Sequence, residues 1–408
     1  MQPALLIRLQ PVGPWRYGPG DGGEDRLDQL YRSDRIYSAV TLAMRQLGFL
    51  EPWLEATARA SKSAVAFSSL FPFQKDVLFA PPPATLWPPP PSLVKAPSPG
   101  FLSKIRWNAA RFIPVTLIES IFTGQQVLAD QWIPDAESGC LLRRDRPNSS
   151  PFRILARTSA AVDRLTHTSV HATSSACVEF EPGSGLWMIA SYAGADAEST
   201  WNSKVESAFR LLADSGFGAH RSRGWGRTEP PQFQRGQWPK LLMPKLAALP
   251  RNGGSSLNVE IETPLFWLLS LYSPSSTDAI VWKEGDYRLT LRGGRIESPI
   301  SSGAEKKLVR MVSEGSVLAA DAEPVGTAVD VAPDGFAHPV YRSGFAMALR
   351  IPILGDAKDT GPVETAATEE ALESRPCDDL EPTLPVEETA TVEETAIKEA
   401  AAESSNDI

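Results

Sequence analysis

Between Gly216 and Arg227 the chain reads Gly216-Phe217-Gly218-Ala219-His220-Arg221-Ser222-Arg223-Gly224-Trp225-Gly226-Arg227, with four glycines, three arginines and two aromatics in twelve positions. Glycine lacks a Cβ, so its N–H groups can lie against an oxyanion, and arginine forks match phosphate oxygens. The flat face of Trp225 suits stacking on a base. This composition suggests phosphate and base binding, although a glycine-rich hairpin with solvated arginines is built from the same residues. Neither GxGxxG nor GxxxxGK[ST] occurs here, so no nucleotide cofactor is expected.

Other clusters carry less chemistry. The four histidines are His167, His171, His220 and His338. His167 and His171 have i, i+4 spacing without an accompanying Glu, which argues against zinc. Gly22-Gly23-Glu24-Asp25 has the composition of a metal-holding acidic turn but lies in a polar loop, not between apolar strands, so no metal is expected. Cys140, Cys177 and Cys377 lack metal or redox spacing and suggest reduced thiols in the cytosol. No apolar run approaches the ~20 residues of a membrane helix, and no signal peptide precedes the first strand, so a cytoplasmic protein is expected.

The elements that must position the loop follow from periodicity. Ala4 to Gln10 reads as a buried strand. A helix follows with Ser33 as N-cap, Ile36, Val40, Met44 and Leu47 on its apolar face, and Gly48 at its end. Val65 to Phe73 and Val77 to Phe79 read as strands. Pro81 to Pro99 predicts a polyproline II crossing of the surface. From Phe101 to about Ser175 the pattern is irregular, with six arginines between Arg143 and Arg164, and is read as an insertion with a basic face. Cys177 to Phe180 and Leu186 to Tyr192 predict a hairpin. A second helix, with Thr200 as cap, buries Trp201, Val205, Ala208, Phe209 and Leu212 and ends at Gly216.

Strand, helix, strands, insertion, strand, helix, loop and strand make the βαββαβ order of a ferredoxin-like fold. A second unit begins with Leu257-Val259-Ile261, continues through Tyr287 to Leu291, and ends with Phe345, Met347, Leu349 and Ile351 on one strand face. The expected architecture is α+β, with two ferredoxin-like units: residues 1–237, carrying an insertion at about 81–175 and the loop at 216–227, and residues 238–354. Residues 355–408 hold 16 acidic and 3 basic residues without Phe, Tyr or Trp, which predicts a disordered acidic tail. Since the chain totals −9, the remaining body carries about +4. A mildly basic body fits an RNA-associated protein.

The loop's place after the second helix resembles the RAMP superfamily of CRISPR proteins. More narrowly, Ser33-Asp34-Arg35-Ile36-Tyr37-Ser38-Ala39-Val40, Phe71-Pro72-Phe73-Gln74-Lys75-Asp76-Val77-Leu78-Phe79, Arg111-Phe112-Ile113-Pro114, Ala161-Val162-Asp163-Arg164, Leu212-Ala213-Asp214-Ser215-Gly216 and Tyr341-Arg342-Ser343-Gly344-Phe345-Ala346 resemble segments of Csm subunit four, in family order. The resemblance implies a non-catalytic subunit of a type III-A CRISPR interference complex in antiviral defence. It would hold the repeat-derived 5′ tag of crRNA and dock on the large polymerase-like subunit and the backbone RAMP subunits. It implies RNA contacts from Gly216, Gly218, His220, Arg221, Ser222, Arg223, Gly224, Trp225, Gly226 and Arg227, and, with less support, from Arg157 and Arg164 on a hairpin thumb. Lys104, Arg106 and Arg111 are weaker still. Ala219-His220 departs from the family's usual glycine and acid.

A processing endoribonuclease of the same superfamily would need a histidine general base on or near the first helix, and that helix has none. Tyr37 lies on its apolar face, where a tyrosine is usually core. The equivalent subunit of a type III-B complex remains an alternative, as does a protein-binding module using Pro81 to Pro99 and the acidic tail.

Overall fold

The computed structural model describes residues 2–18, 27–28, 30–95, 107–145, 150–248, 263–298 and 303–352. The Gly22-Gly23-Glu24-Asp25 turn, Lys104, Arg106, the Leu257-Val259-Ile261 strand, the side chain of His171 and the acidic tail lie outside these residues. Strand β1 (Gln2–Leu9) is followed by helix α1 (Ser33–Gln46), α2 (Leu50–Ala56) and strands β2 (Val65–Phe67), β3 (Phe71–Gln74) and β4 (Val77–Ala80). The stretch from Val65 to Phe73, read as strand pieces, is two strands separated at Ser68 and Ser69. Ser68 Oγ accepts from the Ile189 amide, and Ser69 Oγ accepts from the Ser33 amide and donates to Glu314.

The insertion packs into the main hydrophobic core through residues such as Trp107, Phe112, Ile118 and Phe122. It holds β5 (Val94–Lys95), β6 (Ile113–Pro114), helix α3 (Val115–Phe122), β7 (Val127–Leu128), β8 (Trp132–Pro134) and β9 (Leu141–Arg143). Helix α3 was not expected, yet Val115, Leu117, Ile118, Ile121 and Phe122 are all buried. The proline-rich crossing is not a uniform polyproline II run. It contains 3₁₀ turns at Ala84–Leu86 and Pro91–Leu93, and Trp87 Nε1 donates to the Trp107 carbonyl at 2.9 Å.

A long hairpin follows, β10 (Phe152–Val162) and β11 (Ser169–Phe180), in antiparallel register from Phe152 opposite Phe180. This corrects the predicted hairpin: Cys177 to Phe180 pairs with β10, whereas β12 (Ser184–Tyr192) turns away into the main sheet between β1, β2 and β3. The composition of Pro182-Gly183-Ser184-Gly185 marks a turn but cannot say which strands it joins. The basic face expected of the insertion is partly neutralised, because Arg143 pairs with Asp145, Arg153 with Glu181 and Arg157 with Glu179, whereas Arg144 and Arg164 are exposed.

Helix α4 (Ala195–Ser215) leads through the glycine-rich loop to β13 (Gln232–Trp238). The main sheet is antiparallel with order β13-β1-β12-β3-β4-β6, and β2 also pairs with β12. Helices α1 and α4 pack on each other, and α4 packs on β1 and β12. Both helix ends were legible, at Leu47-Gly48 and at Gly216, but neither predicted cap stands. Helix α1 is preceded by Arg32, and α4 starts more than a turn before Thr200, with Asp196 and Glu198 favourably placed near its N-terminus.

After α5 (Pro244–Ala248), the chain builds short antiparallel sheets from β14 (Leu265–Leu268), β15 (Leu289–Arg292), β16 (Val309–Val312), β17 (Val317–Ala319), β18 (Gly326–Asp330), β19 (Tyr341–Phe345) and β20 (Ala348–Ile351). Among the described residues after 262 there is no helix, unlike the expected second βαββαβ unit. Its connections, rich in glycine, proline and serine, carry no helical period. Phe345, Met347, Leu349 and Ile351 are all buried as predicted, but on two strands separated by Ala346 and Met347. One hydrophobic core runs from Ala4 to Ile351 across the expected boundary at 237, and residues 1–356 cluster as one unit. Among the described residues, no helix is long and apolar enough to cross a membrane.

A buried ionic cluster fastens the C-terminal strands to α1. Arg292 grips Asp34 with Nε and Nη2, both at 3.1 Å, and reaches Asp28 with Nη1 at 3.0 Å. Arg342 also donates to Asp34 and, through Nη2, to the Gly293 carbonyl at 2.8 Å. Burial alone would raise the Asp34 pKa, but the Arg292 and Arg342 cations overcome it and hold it below the usual carboxylate range. The stability it contributes is therefore complete above the unfolded Asp pKa, about 4, and is lost as pH falls below it. Asp34→Asn leaves two buried guanidiniums under-compensated and is expected to cost about 3–5 kcal/mol in urea unfolding at pH 7, with the loss shrinking as pH falls. A loss below 1 kcal/mol at pH 7 would show that the cluster does not hold the C-terminal strands.

Candidate nucleic-acid interface

The loop after α4 is shaped from inside. Phe217 is 1 % exposed and stacks on Trp15, with ring centroids 5.2 Å apart and planes at 17°, while Tyr31 meets it edge-on at 6.0 Å. Burying this side chain contributes about 1.5–3 kcal/mol and pins the start of the loop. The Phe217 amide donates to the Gly226 carbonyl at 3.0 Å, which closes the loop at its neck. The Ala219 amide donates to the Arg16 carbonyl and the Gly226 amide to the Pro14 carbonyl, both at 2.9 Å. The loop is thereby laced to the segment after β1.

Three of the four glycines answer to this lacing. A Cβ on Gly216 would sit 2.4 Å from the Trp225 carbonyl oxygen, on Gly218 2.3 Å from that of Arg16, and on Gly226 1.9 Å from that of Phe217. All three have positive φ. Gly224 also has positive φ, at +80°, but nothing lies within 4 Å of its Cβ position. The expectation that glycine amides cradle phosphate is therefore corrected: most loop amides are spent on protein carbonyls, with those of Phe217, Ala219, Arg223, Gly224, Trp225 and Gly226 donating internally. The composition that suits an oxyanion also suits tight backbone crossing.

Trp225 is corrected as well. It is 9 % exposed and faces the His220 ring at 5.0 Å, edge to face, so its plane is not an open platform for a base. His220 stands at φ +59°, left-handed, and starts the 3₁₀ turn Arg221–Arg223. Ser222, within that turn, is exposed. The turn presents its arginines outward. Arg221 Nη2 meets both Glu297 carboxylate oxygens at 2.9 and 3.0 Å, Arg223 Nη1 donates to Ser159 Oγ at 3.3 Å, and Arg227 Nε donates to the Asp214 carbonyl at 2.7 Å.

The Ser159 contact brings the loop against the hairpin. Arg157 is two residues from Ser159 on β10, hence on the same face, and pairs with Glu179 across the ladder, with Nε and Oε1 2.6 Å apart. Arg164 is exposed in the turn beyond, about 15 Å farther along the hairpin at ~3.3 Å per residue, and does not join the loop cluster. Of the weaker candidates, Arg111 packs its aliphatic stem at 3.2–3.3 Å from the Cβ position of Gly139. Tyr37 is core, as expected. Its hydroxyl pairs with Thr57 Oγ1 at 2.7 Å, and burial pushes its pKa up to about 12.

Sequence reasoning missed the opposite wall of the loop. Arg35 of α1, the turn after β15 with Gly293, Gly294, Arg295 and Glu297, Lys306 and Arg342 face the loop across a cleft that also exposes Gly216, Gly218 and Arg221. A charged Asp34 on a helix face that also buries Ile36, Tyr37 and Val40 was the available signal, since a buried carboxylate needs cationic partners. Gly226→Ala is expected to lower stability by about 3 kcal/mol or more because the Phe217 carbonyl must move, whereas Gly224→Ala meets only the left-handed backbone penalty of about 1–2 kcal/mol. Equal shifts in thermal melting for the two variants would contradict the internal role of Gly226.

Residues 262–351 match the family model of the CRISPR Csm4 C-terminal domain. No curated protein matches the sequence. A chain in the crystal structure of a Csm3–Csm4 subcomplex of the type III-A CRISPR-Cas interference complex shares the fold, with TM-score 0.54 at 14 % identity, covering 85 % of this chain and 99 % of that one. A chain of a Csm1–Csm4 cassette solved with cA4 aligns with TM-score 0.48 at 16 % identity, over 86 % of this chain and 98 % of the other. The chain thus carries a match to the Csm4 C-terminal domain over its C-terminal strands and shares the fold of a chain in a type III-A subcomplex, in agreement with the resemblance carried by the sequence segments.

Proposed function

We propose that this protein is a non-catalytic RNA-binding subunit of a type III-A CRISPR effector complex, holding the 5′ repeat-derived tag of crRNA. The observation that carries this reading is the rigid presentation of Arg221 and Arg223 beside the exposed hairpin β10–β11, by a loop whose backbone is locked through Phe217 and the Arg16 and Pro14 carbonyls. Three solvent-facing guanidiniums on a fixed loop meet phosphates at little ordering cost. In this reading β13-β1-β12-β3 with α1 and α4 is a ferredoxin-like RNA-binding unit, and β10–β11 is the thumb that borders the RNA path. Csm4 is paired with Csm3 in one solved relative and with Csm1 in another, and we assign this chain the same two neighbours, a backbone subunit and the large subunit.

Arg221→Ala combined with Arg223→Ala is expected to weaken binding of 5′-tagged crRNA by the reconstituted complex. It should also lower the slope of log affinity against log salt by about 1 to 1.5, the share of two single-strand phosphate contacts. Affinity unchanged across several salt concentrations would refute the loop's role.

The absence of catalysis rests on residues. Tyr37 is sealed in the core, and the first helix, where a processing nuclease of this superfamily would need its general base, holds no histidine. Purified full-length protein incubated with repeat RNA, with and without divalent ions, should leave the RNA intact over hours. Cleavage that disappears in His220→Ala would establish a nuclease instead.

A further inference from the structure

The cleft between α1, the glycine-rich loop and the turn after β15 has a volume of about 290 Å³, close to the ~300 Å³ at which small-molecule sites begin. Five cations line it, Arg35, Arg221, Arg295, Lys306 and Arg342, against two carboxylates, Asp34 and Glu297. Both carboxylates are already engaged. Asp34 serves Arg292 and Arg342, and Glu297 serves Arg221. Arg295 turns to the Gly303 carbonyl and to Glu305. Among the described residues Lys306 is left in excess, and Arg35 has only a long ion pair with Asp28. Arg35 Nη2 donates to the Gly18 carbonyl, but its buried Nη1 has no hydrogen-bond partner among the described residues and lies 3.9 Å from the nearest carboxylate oxygen, on Asp28. Arg342, 95 % buried, likewise leaves Nε unpartnered. No ion pair involves Lys306 among the described residues.

Surplus positive charge on a walled cleft, backed by guanidinium donors left unmatched beside it, favours an anion. We propose that the cleft is a phosphate site, which takes one phosphodiester group of the bound RNA on Lys306 and Arg35. Glu297 acts in it as a built-in competitor whose carboxylate holds Arg221 until the phosphate enters. The inference rests on the RNA-binding reading for the identity of the ligand, not for the existence of the site.

The electrostatics of Lys306 agree with the geometry. Burial, then the Arg342 cation, with Arg35 adding to both, hold its ammonium pKa down to about 8, while Asp34 and Glu297 pull the other way. Arg221 and Arg295 complete the charges facing it from the loop and the turn. An anion in the cleft favours the protonated amine, so binding is stronger below about pH 8 and weakens above it as the proton is lost.

Sulfate tests the site without RNA, because it stays doubly charged from pH 6.5 to 9.5 and leaves only protein groups to titrate. Calorimetric titration of the full-length protein at low ionic strength should show saturable sulfate binding, weaker by about tenfold at pH 9.5 than at pH 7. Lys306→Gln should reduce affinity by about tenfold and remove most of the pH dependence, Arg35→Gln should reduce it similarly, and Glu297→Gln should tighten it by about threefold. Unchanged melting temperatures for Lys306→Gln and Glu297→Gln keep these effects local. Absence of saturable binding, or a Lys306→Gln variant that binds sulfate as the parent does, overturns the proposal. If sulfate binds with these dependences while tagged crRNA does not, the cleft stands and the RNA reading falls. If crRNA binds through Arg221 and Arg223 while Lys306→Gln changes neither RNA nor sulfate affinity, only the cleft proposal falls.

Discussion

Asp34 sits one residue into helix α1, almost fully buried, between two guanidiniums supplied by chain segments some 260 and 310 residues away. Ionised carboxylates are not left inside proteins without such compensation, because the desolvation penalty is several kcal/mol per ion. Here the compensation is also the joint of the molecule. Arg292 ends β15 and Arg342 lies in β19, so a single carboxylate fixes two strands of the C-terminal region against the helix that packs on the main sheet. A second connection runs in parallel through Glu314, which accepts from Arg32 and Ser69, and a third through Ser33 Oγ, which accepts from the Leu271 amide. Polar contacts of this kind are directional, and they fix the placement of the strands in a way that apolar burial alone does not.

The placement has a functional consequence because the same three segments wall the cleft. Remove the Asp34 joint and the turn carrying Gly293, Glu297 and Lys306 loses its registration against α1 and the glycine-rich loop. The loop, by contrast, owes its shape to Phe217 and to backbone hydrogen bonds with the segment after β1, all within the N-terminal part of the chain. One wall is held by hydrophobic stacking and the other by ion pairing, and the two meet at Arg221 and Glu297.

Much of this was legible in the chain. The apolar stripes of α1 and α4, the glycine that ends each, and the strands that became β1, β12 and β4 follow from 3.6- and 2-residue periods that burial enforces. Pairing was not legible. Cys177 to Phe180 reads as a partner for β12 because they are adjacent in sequence, but the long ladder with β10 offers more backbone hydrogen bonds than a short hairpin would. Helix α3 escaped although Leu117, Ile118, Ile121 and Phe122 stand at helical spacing, because it spans only eight residues inside an otherwise irregular stretch. At the site, residue types were informative and orientations were not. Glycines suited to phosphate turned out to be required by carbonyl oxygens that an added Cβ would meet at 1.9 to 2.4 Å, and a tryptophan suited to stacking turned inward onto His220. Arg35 and Lys306 carried no local signal at all, since their meeting depends on a fold that closes over 270 residues.

Burial sorts the arginines by what they can do. Arg292 and Arg342 are nearly sealed, and opening either pair would strand a charge in the interior, so they are committed to the fold. Arg157 and Arg221 hold carboxylates at the surface, and Arg223 a serine hydroxyl; an exposed ion pair is worth at most about 1 kcal/mol and exchanges readily for another anion. Under the proposed RNA-binding function, surface carboxylates such as Glu179 and Glu297 serve a purpose in the free protein. They keep guanidiniums oriented and solvated without binding them so tightly that a polyanion could not displace them. A phosphate backbone bringing several charges at once gains the release of condensed counterions as well, an advantage no single glutamate can match. In that reading Lys306, which has no ion pair among the described residues, can meet a phosphate before Glu297 releases Arg221.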